Sequence, residues 1–214
     1  MKKTISILAA ILITVAGFAQ TDQKAKDILD RASAKIEGYK TLKIKFGVVI
    51  TAEGEEPISQ KGVLYLKGDK YKLDMTDQEV YNDGTTVTTY LKEDNECYRT
   101  PVEDLEEEEM LSPEELLTLY EDGYKLRYDG EQEYAGEMCD VIFLYPKDPQ
   151  NAKFHTVKML VNQSKNEVVY AYLKGKEGTN MKYKLVSMEK DVEMSDDTFI
   201  FNEAEHPGVE CYDE

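Results

Sequence analysis

Three cysteines, Cys97, Cys139 and Cys211, and two histidines, His155 and His206, are the side chains of this sequence best suited to covalent or metal chemistry. In an oxidising compartment, three thiols indicate one disulfide and one free cysteine, although the spacing does not identify the pair. The intervals between these residues match no metal-ligand pattern, so we expect no metal site. A catalytic thiol would need a neighbouring imidazole, which only the two histidines could provide, so we do not expect cysteine catalysis.

The acidic run over residues 103–111 is a second candidate for chemistry. It lacks the spaced Asp, Asn and Gly residues of a calcium loop, so we interpret it as a solvated surface segment. Carboxylate pairs of the glycosidase type can be drawn from any chain this acidic, but the sequence contains no nucleophile motif and no phosphate-binding loop. We therefore predict that the protein is not an enzyme and needs no cofactor.

The N-terminus is typical of a secretory signal peptide. Lys2 and Lys3 precede an apolar run over residues 5–16, and small residues close the segment before Gln20. We predict a leader over residues 1–19, with an uncleaved anchor as the alternative. The apolar run is shorter than the roughly 18 residues that a transmembrane helix needs.

The remaining chain, residues 20–214, has no linker and no internal repeat, so we predict one domain. With the predicted leader, we expect this domain to be exported. The formal charge of the whole chain is −17. A surface this acidic repels phosphate backbones and anionic lipids, which argues against nucleic-acid partners and against contact with a membrane by charge.

Two helices are predicted. The first has an apolar stripe at helical spacing and a glycine stop at Gly38. Its apolar residues are Ala25, Ile28, Leu29, Ala32 and Ile36. The second is a short helix that follows Ser112 as N-cap and Pro113 as first helical residue, and that ends before Gly123.

The rest of the chain alternates apolar and polar residues with a period of two, which predicts strands. We count ten or eleven, joined by short turns at Gly68-Asp69, Asp83-Gly84 and residues 164–166, so neighbours should pair antiparallel. A mainly β sheet of this length curls, splits or closes into a barrel. In the later strands, alternate residues place the apolar side chains on one face of the strand. We assign these faces to the interior, and they include Val157, Met159 and Leu173.

The segment GVLYLKGDKYKLDM, residues 62–75, is predicted to be a hairpin with a two-residue turn at Gly68-Asp69. That turn pairs Lys67 with Lys70 and, at the open end, Gly62 with Met75. One face then carries the apolar residues Leu64, Leu66, Tyr71, Leu73 and Met75. The opposite face is predicted to meet solvent, and it carries Val63, Tyr65, Lys67, Lys70, Lys72 and Asp74.

This hairpin, the following EVYNDGTTVTTY and the C-terminal TFIFNEAEHPGVECYD together resemble the periplasmic outer-membrane lipoprotein carrier family, LolA. The likeness lies in a Gly-initiated strand ending in Lys, a basic and aromatic return strand, a DG hairpin, and a Phe-x-Phe segment followed by Pro-Gly-Val. In order, these motifs span nearly all of the chain after the leader. One position departs from the pattern: Gly68-Asp69 stands where the family has an Arg-Pro pair, whose Arg latches the lid to the barrel.

The resemblance implies an incomplete, strongly curved antiparallel β-barrel with helices as a lid over a hydrophobic cavity. By the same likeness, Tyr71 and Leu73 occupy the mouth of the cavity, and Leu64 and Leu66 its inner wall. The residues expected to line an acyl-chain cavity are Leu64, Leu66, Tyr71, Leu73, Met75, Val157, Met159 and Leu173. The implied partners are acylated lipoproteins, an inner-membrane ABC-type release complex and an outer-membrane acceptor.

Two alternatives stay open. A lipid- or lipoprotein-sensing regulator, or a generic binding module, could use the same fold. The apolar hairpin residues could also pack against the N-terminal helix as ordinary core. An empty space beside Leu64 and Leu73 would distinguish a cavity from a core.

Overall fold

A computed structural model of the protein describes residues 22–105, 119–121, 123–176 and 178–213. The predicted leader lies outside these ranges, as do most of the acidic run and most of the predicted second helix.

The described residues are mainly β, as predicted, with one helix, α1 (residues 22–37). They form twelve strands, where the sequence indicated ten or eleven: β1 (Leu42–Thr51), β2 (Ile58–Lys67), β3 (Lys70–Met75), β4 (Gln78–Asn82), β5 (Thr86–Leu91), β6 (Glu96–Pro101), β7 (Tyr124–Tyr134), β8 (Glu137–Pro146), β9 (Phe154–Asn162), β10 (Glu167–Gly175), β11 (Asn180–Lys190) and β12 (Glu210–Asp213). Three short 3₁₀ helices cover Val102–Asp104, Asp196–Phe199 and Glu203–Glu205.

The chain divides into two compact units. One draws on Met1–Ile36 and Glu114–Asn180, and we call it the helix unit; the other draws on Glu37–Pro113 and Met181–Glu214, and we call it the hairpin unit.

The hairpin unit orders its strands β12-β6-β5-β4-β3-β2-β1-β11. Pairing is antiparallel from β1 through β6, whereas β12 joins β6 in parallel. This parallel pair departs from the fully antiparallel expectation, because the C-terminal segment crosses the unit before it reaches the edge strand. β12 has a single neighbour, so the sheet is open at this edge, as predicted.

The helix unit orders its strands β10-β9-β8-β7, all antiparallel. The predicted stripe of α1 is buried at Ala25, Ile28, Leu29 and Ala32, while Ile36 is half-buried. α1 lies on one face of these strands, since the Lys24 ammonium is 3.6 Å from the centre of the Tyr128 ring on β7 and Ile28 lines a pocket together with Asp140 of β8. β7 is the open edge of this unit.

The predicted hairpin is confirmed in its full register. Lys67 pairs with Lys70, Leu66 with Tyr71, and the pairing continues to Gly62 with Met75. Gly68 has a φ of +57°, the left-handed conformation that a turn of this kind needs at its first central residue. The turn therefore sets which side chains share a face.

The second predicted turn, at Asp83-Gly84, is wider than a two-residue hairpin, because Asn82 pairs with Val87. The Asp83 carboxylate accepts hydrogen bonds from the Thr85 backbone and hydroxyl and from the Thr86 backbone, at 2.7–2.9 Å. Burial opposes ionisation of Asp83, but these bonds outweigh it and lower the pKa of the carboxyl. An acceptor that satisfies several loop donors stabilises the longer loop over the tighter turn.

A β-bulge in β10 corrects one assignment in the later strands. The alternation of this strand predicts that Val169 shares the interior face with Ala171 and Leu173. The register shifts between Val168 and Tyr170, and Val169 packs instead against the cluster around Val141 on the other face. A bulge adds one residue to a strand, so the alternation of side chains is out of phase on its two sides. Val169 therefore lies on the face opposite to the one that the alternation predicts.

The cysteine pair is Cys97 with Cys211, which lie opposite each other on β6 and β12 with their Cα atoms 4.4 Å apart. Cys139 is free and fully buried. Burial raises the pKa of the Cys139 thiol, which makes the reactive thiolate scarce at neutral pH.

Candidate functional site

The hairpin part of the predicted site forms one apolar row in the hairpin unit. Leu64, Leu66 and Met75 are at most 8% exposed, whereas Tyr71 and Leu73 are half-buried. Directly paired residues share a face of a sheet, so β1 extends the row. Its contributions are Leu42, Ile44, Phe46 and Val48, each paired with a residue of β2 and each buried.

Phe46 fills the place left open by a glycine in this row. It pairs with Gly62, and a methyl group built on Gly62 would come within 2.5 Å of the Phe46 ring. Gly62 in turn pairs with Met75, so the ring lies beside one of the predicted lining residues. The absence of a side chain at Gly62 is what lets the ring lie over the sheet.

The second part of the predicted site lies in the helix unit. Val157, Met159 and Leu173 are at most 1% exposed. Leu144 pairs with Val157 and Ile142 with Met159, which places all of these residues on the face that α1 covers. The eight predicted residues therefore fall into two separate apolar rows, five residues in the hairpin unit and three in the helix unit.

A polar pocket of about 600 Å³ also lies in the helix unit, between α1 and the strands. Asp140, 8% exposed, accepts hydrogen bonds from the Tyr128 hydroxyl at 3.2 Å and from the Gln163 amide at 3.0 Å. A hydrogen bond to Tyr128 is the main reason that the pKa of Lys24 is raised. Sequence reasoning missed this pocket, because its residues come from separate elements and form no motif. Its groups suit a polar ligand better than an acyl chain.

The face opposite the apolar row corrects the prediction of a solvent-facing surface. Both lysines that flank the Gly68-Asp69 turn bind Asp196 of the C-terminal segment: Lys67 Nζ lies 2.7 Å from one carboxylate oxygen and Lys70 Nζ lies 3.0 Å from the other. Lys67 also donates to the Met194 carbonyl at 3.0 Å. We call this arrangement the Asp196 clamp. These lysines hold the C-terminal segment against the hairpin at the place where the family pattern has its latching Arg.

Beyond the clamp, the C-terminal segment packs aromatic rings onto the same face. The Phe201 ring lies 5.5 Å from that of Tyr81 and 5.2 Å from that of Tyr90, and His206 stacks on Phe201 at 4.7 Å. A pocket of about 380 Å³ opens beside these rings, with Lys72 among its lining residues. The covering segment is more than 100 residues away in sequence, so the alternation of the hairpin could not predict it.

The described ranges show neither a metal-ligand cluster nor a membrane-spanning helix. Within them, no group of three or more His, Cys, Asp or Glu side chains is arranged to hold a metal ion. In the same ranges, no helix is both long and apolar enough to cross a membrane.

Comparison with known proteins identifies a family. A family model described as "Outer membrane lipoprotein carrier protein LolA" matches residues 15–139, which is more than half of the chain. An uncharacterized protein of Methanocaldococcus jannaschii is 25% identical over 199 residues, which cover 91% of this chain. The chain spans 57% of the length of that relative.

Solved structures also match the chain. An uncharacterized conserved protein from Thermus thermophilus has a similar fold, with a TM-score of 0.59 at 10% identity, over 89% of this chain and 99% of that one. A LolA superfamily protein from Nitrosomonas europaea matches with a TM-score of 0.43 at 13% identity, over 83% of this chain and 97% of that one.

Proposed function

The chain belongs to the family of the outer membrane lipoprotein carrier protein LolA, and on that premise we propose that it is a periplasmic carrier for acylated lipoproteins. It takes lipoproteins from an inner-membrane ABC-type release complex, shields their acyl chains, and passes them to an acceptor at the outer membrane. The carrier acts as a monomer and needs no catalytic group, because transfer depends on differences in affinity alone.

The observation that supports this proposal is the uneven burial along the apolar row of the hairpin unit. Tyr71 and Leu73 are half-buried, although they pair with the buried Leu66 and Leu64. Their exposed parts provide apolar surface that an acyl chain can cover. Each methylene removed from water contributes about 0.8 kcal/mol, so a long chain that is left in water costs on the order of 10 kcal/mol.

The fully buried residues of the helix unit are not accessible to an acyl chain while α1 covers them. Val157, Met159 and Leu173 are covered on the face where α1 lies. We propose that α1 acts as the lid and that these residues join the lining when it moves. Met159 suits such a lining because its unbranched side chain adapts to ligands of different shape.

Substitution of Leu73 by Glu tests the proposal. Leu73→Glu places a carboxylate in the row at a half-buried position, so we expect release of lipoprotein from inner-membrane vesicles to fall about tenfold or more with little loss of thermal stability. The matched control is Val63→Glu on the opposite face of the same hairpin, where the half-buried Val63 pairs with Asp74. The control should release lipoprotein as the parent does.

Two results would contradict carriage. If Leu73→Glu unfolds the protein while its folded fraction still carries lipoprotein, the row is core and not a binding surface. If the parent protein binds acylated peptide but never yields a soluble one-to-one complex from vesicles, it is a sensor or binding module instead.

A further inference from the structure

A row of alternating cations and rings crosses the helix unit on the face turned away from α1. Arg127 pairs with Phe143, Phe143 with Lys158, and Lys158 with Tyr172. Directly paired side chains lie on one face, and four strands at about 4.8 Å spacing make a row of roughly 14 Å. The opposite face is the one that α1 covers, because Tyr128 and its partner Ile142 lie on it.

Neighbouring residues extend this pattern in both directions. The Arg127 guanidinium lies 5.1 Å from the centre of the Phe143 ring and 5.3 Å from that of Tyr145. Lys174 Nζ lies 5.7 Å from the centre of the Tyr172 ring. We call this set the cation-ring face, and its members are Arg127, Phe143, Tyr145, Lys158, Tyr172 and Lys174. Lys125, which pairs with Tyr145, adds a further cation at its border.

The charge of this face is opposite to that of the whole chain, which carries −17. Asp129 lies 3.2 Å from Arg127 and offsets part of its charge, whereas Glu137 is paired with Lys165 at 2.8 Å, so Lys158 and Lys174 are the remaining cations of the face. At physiological salt, charges farther apart than about 8 Å are largely screened, so a surface in contact with this face experiences mainly its cations. The net charge of the chain argues against contact with an anionic membrane, but this argument does not apply to a face whose local charge is positive.

We propose that the cation-ring face docks on a membrane surface that contains anionic phospholipids. Lys and Arg side chains reach lipid phosphates while their stems stay on apolar surface. Half-buried tyrosines are suited to the level of the headgroups, where the ring meets apolar matter and the hydroxyl meets water. This docking does not depend on an acyl-chain cavity, so it stands apart from the proposed carrier function.

The arrangement of the rings favours a membrane over a single-stranded nucleic acid. Aromatic residues that bind single strands offer a free ring face on which a base stacks. Here the Arg127 guanidinium lies over the rings of both Phe143 and Tyr145. Phe143 and Tyr145 also stack on each other with an interplanar angle of 11°, so part of each ring face is already covered within the protein.

Vesicle flotation of the full chain tests the proposal. Binding is compared on vesicles of phosphatidylcholine alone and of phosphatidylcholine with phosphatidylglycerol. The parent should bind the mixed vesicles more tightly, and the difference should shrink as salt is raised. The double variant Arg127→Gln/Lys174→Gln should bind the mixed vesicles about 30-fold more weakly, since each cation near an anionic surface contributes about 1 kcal/mol.

A matched control is available on α1. Lys26→Gln/Arg31→Gln removes one lysine and one arginine that are exposed on the other side of the helix unit, and it should bind as the parent does. Residues 1–19 are the same in the parent and in both double variants. Any binding to vesicles through this segment therefore contributes equally to all three proteins.

The proposal is wrong if the parent binds both kinds of vesicle equally, a result that needs no variant to fold. It is also wrong if both double variants lose binding to the same extent, or if the parent binds a single-stranded oligonucleotide and neither kind of vesicle. Thermal unfolding of both variants shows whether a loss of binding reflects a loss of structure.

Discussion

The ring of Phe46 lies over the backbone of Gly62, and a methyl group on Gly62 would approach the ring to 2.5 Å. Gly62→Ala should therefore displace Phe46 and lower the free energy of unfolding by about 1–3 kcal/mol, the usual cost of an added methyl in a packed place. Chemical denaturation measures this change. The displaced ring should also alter the binding of an apolar fluorescent probe, because Phe46 belongs to the row proposed to bind acyl chains.

Gly47→Ala is the matched control for that substitution. Gly47 is next to Phe46 on the same strand, and a methyl group there would meet its nearest neighbour at an ordinary 3.8 Å. We expect the stability of this variant to match or slightly exceed that of the parent. If Gly62→Ala and Gly47→Ala lose the same stability, the loss comes from replacing a strand glycine and not from displacing the Phe46 ring.

The Asp196 clamp should make the C-terminal segment sensitive to pH. Hydrogen bonds from Lys67 and Lys70 lower the pKa of Asp196. A carboxyl with a lowered pKa in the folded protein stabilises the fold above its unfolded pKa, and the contribution is lost as the pH falls through the folded pKa. Amide protection near Thr198 and Ile200, measured by hydrogen exchange, should therefore decrease at acidic pH.

Asp196→Asn should show the same loss of protection already at neutral pH. The neighbouring Asp197→Asn should retain both the protection and its pH dependence, because the clamp lysines bind Asp196. If the two variants behave alike, the clamp does not hold the segment.

Glu79 should contribute to stability through charge. Its side chain is 16% exposed and lies 3.5 Å from Lys72 Nζ and 3.3 Å from Lys92 Nζ. Burial opposes its ionisation, but the Tyr81 hydroxyl and the two lysines outweigh burial and lower the pKa of Glu79. Glu79→Gln should lower the free energy of unfolding by about 1–3 kcal/mol at neutral pH.

The deficit of Glu79→Gln should shrink as the pH falls through the lowered pKa, because the parent then loses the same charge. Glu93→Gln is the control, since Glu93 is exposed on the turn before β6. A deficit that is constant over the acidic range would assign the effect to packing.

Loss of the disulfide should destabilise the protein. The bond between Cys97 and Cys211 closes a loop of 114 residues. Cys97→Ser/Cys211→Ser should therefore lower the free energy of unfolding by about 2–4 kcal/mol in denaturant titrations. A reductant should bring the parent to the level of the variant and leave the variant unchanged. Parent stability that does not respond to reductant would contradict this.

The sequence predicted features that depend on neighbouring residues. A glycine-first turn at Gly68-Asp69 determines every pairing in its hairpin, so the face shared by Leu64 and Leu73 followed directly. The stripe of α1 is equally local, because its five apolar residues recur at helical spacing within one segment. Both predictions needed only spacing and turn chemistry.

Features that depend on distant residues could not be predicted. The face of Lys67 and Lys70 was expected to meet solvent, but it binds Asp196, which lies 129 residues beyond Lys67. Cys97 pairs with Cys211 because β12 joins β6 in parallel. The alternation of residues along a strand does not indicate which other strand it will join. At the candidate site, alternation indicated the faces of Val157 and Leu173, and their near-complete burial became visible only in the folded chain.

The hairpin unit is assembled from two stretches of chain, Glu37–Pro113 and Met181–Glu214. Strand β6 meets its neighbour β12 only after Cys211 has been synthesised, 114 residues after Cys97. Ribosomes add about 5–20 residues per second, so that interval corresponds to a delay on the order of 10 s during synthesis. The fold of this unit therefore cannot be completed before β12 has been synthesised, however early β6 leaves the ribosome.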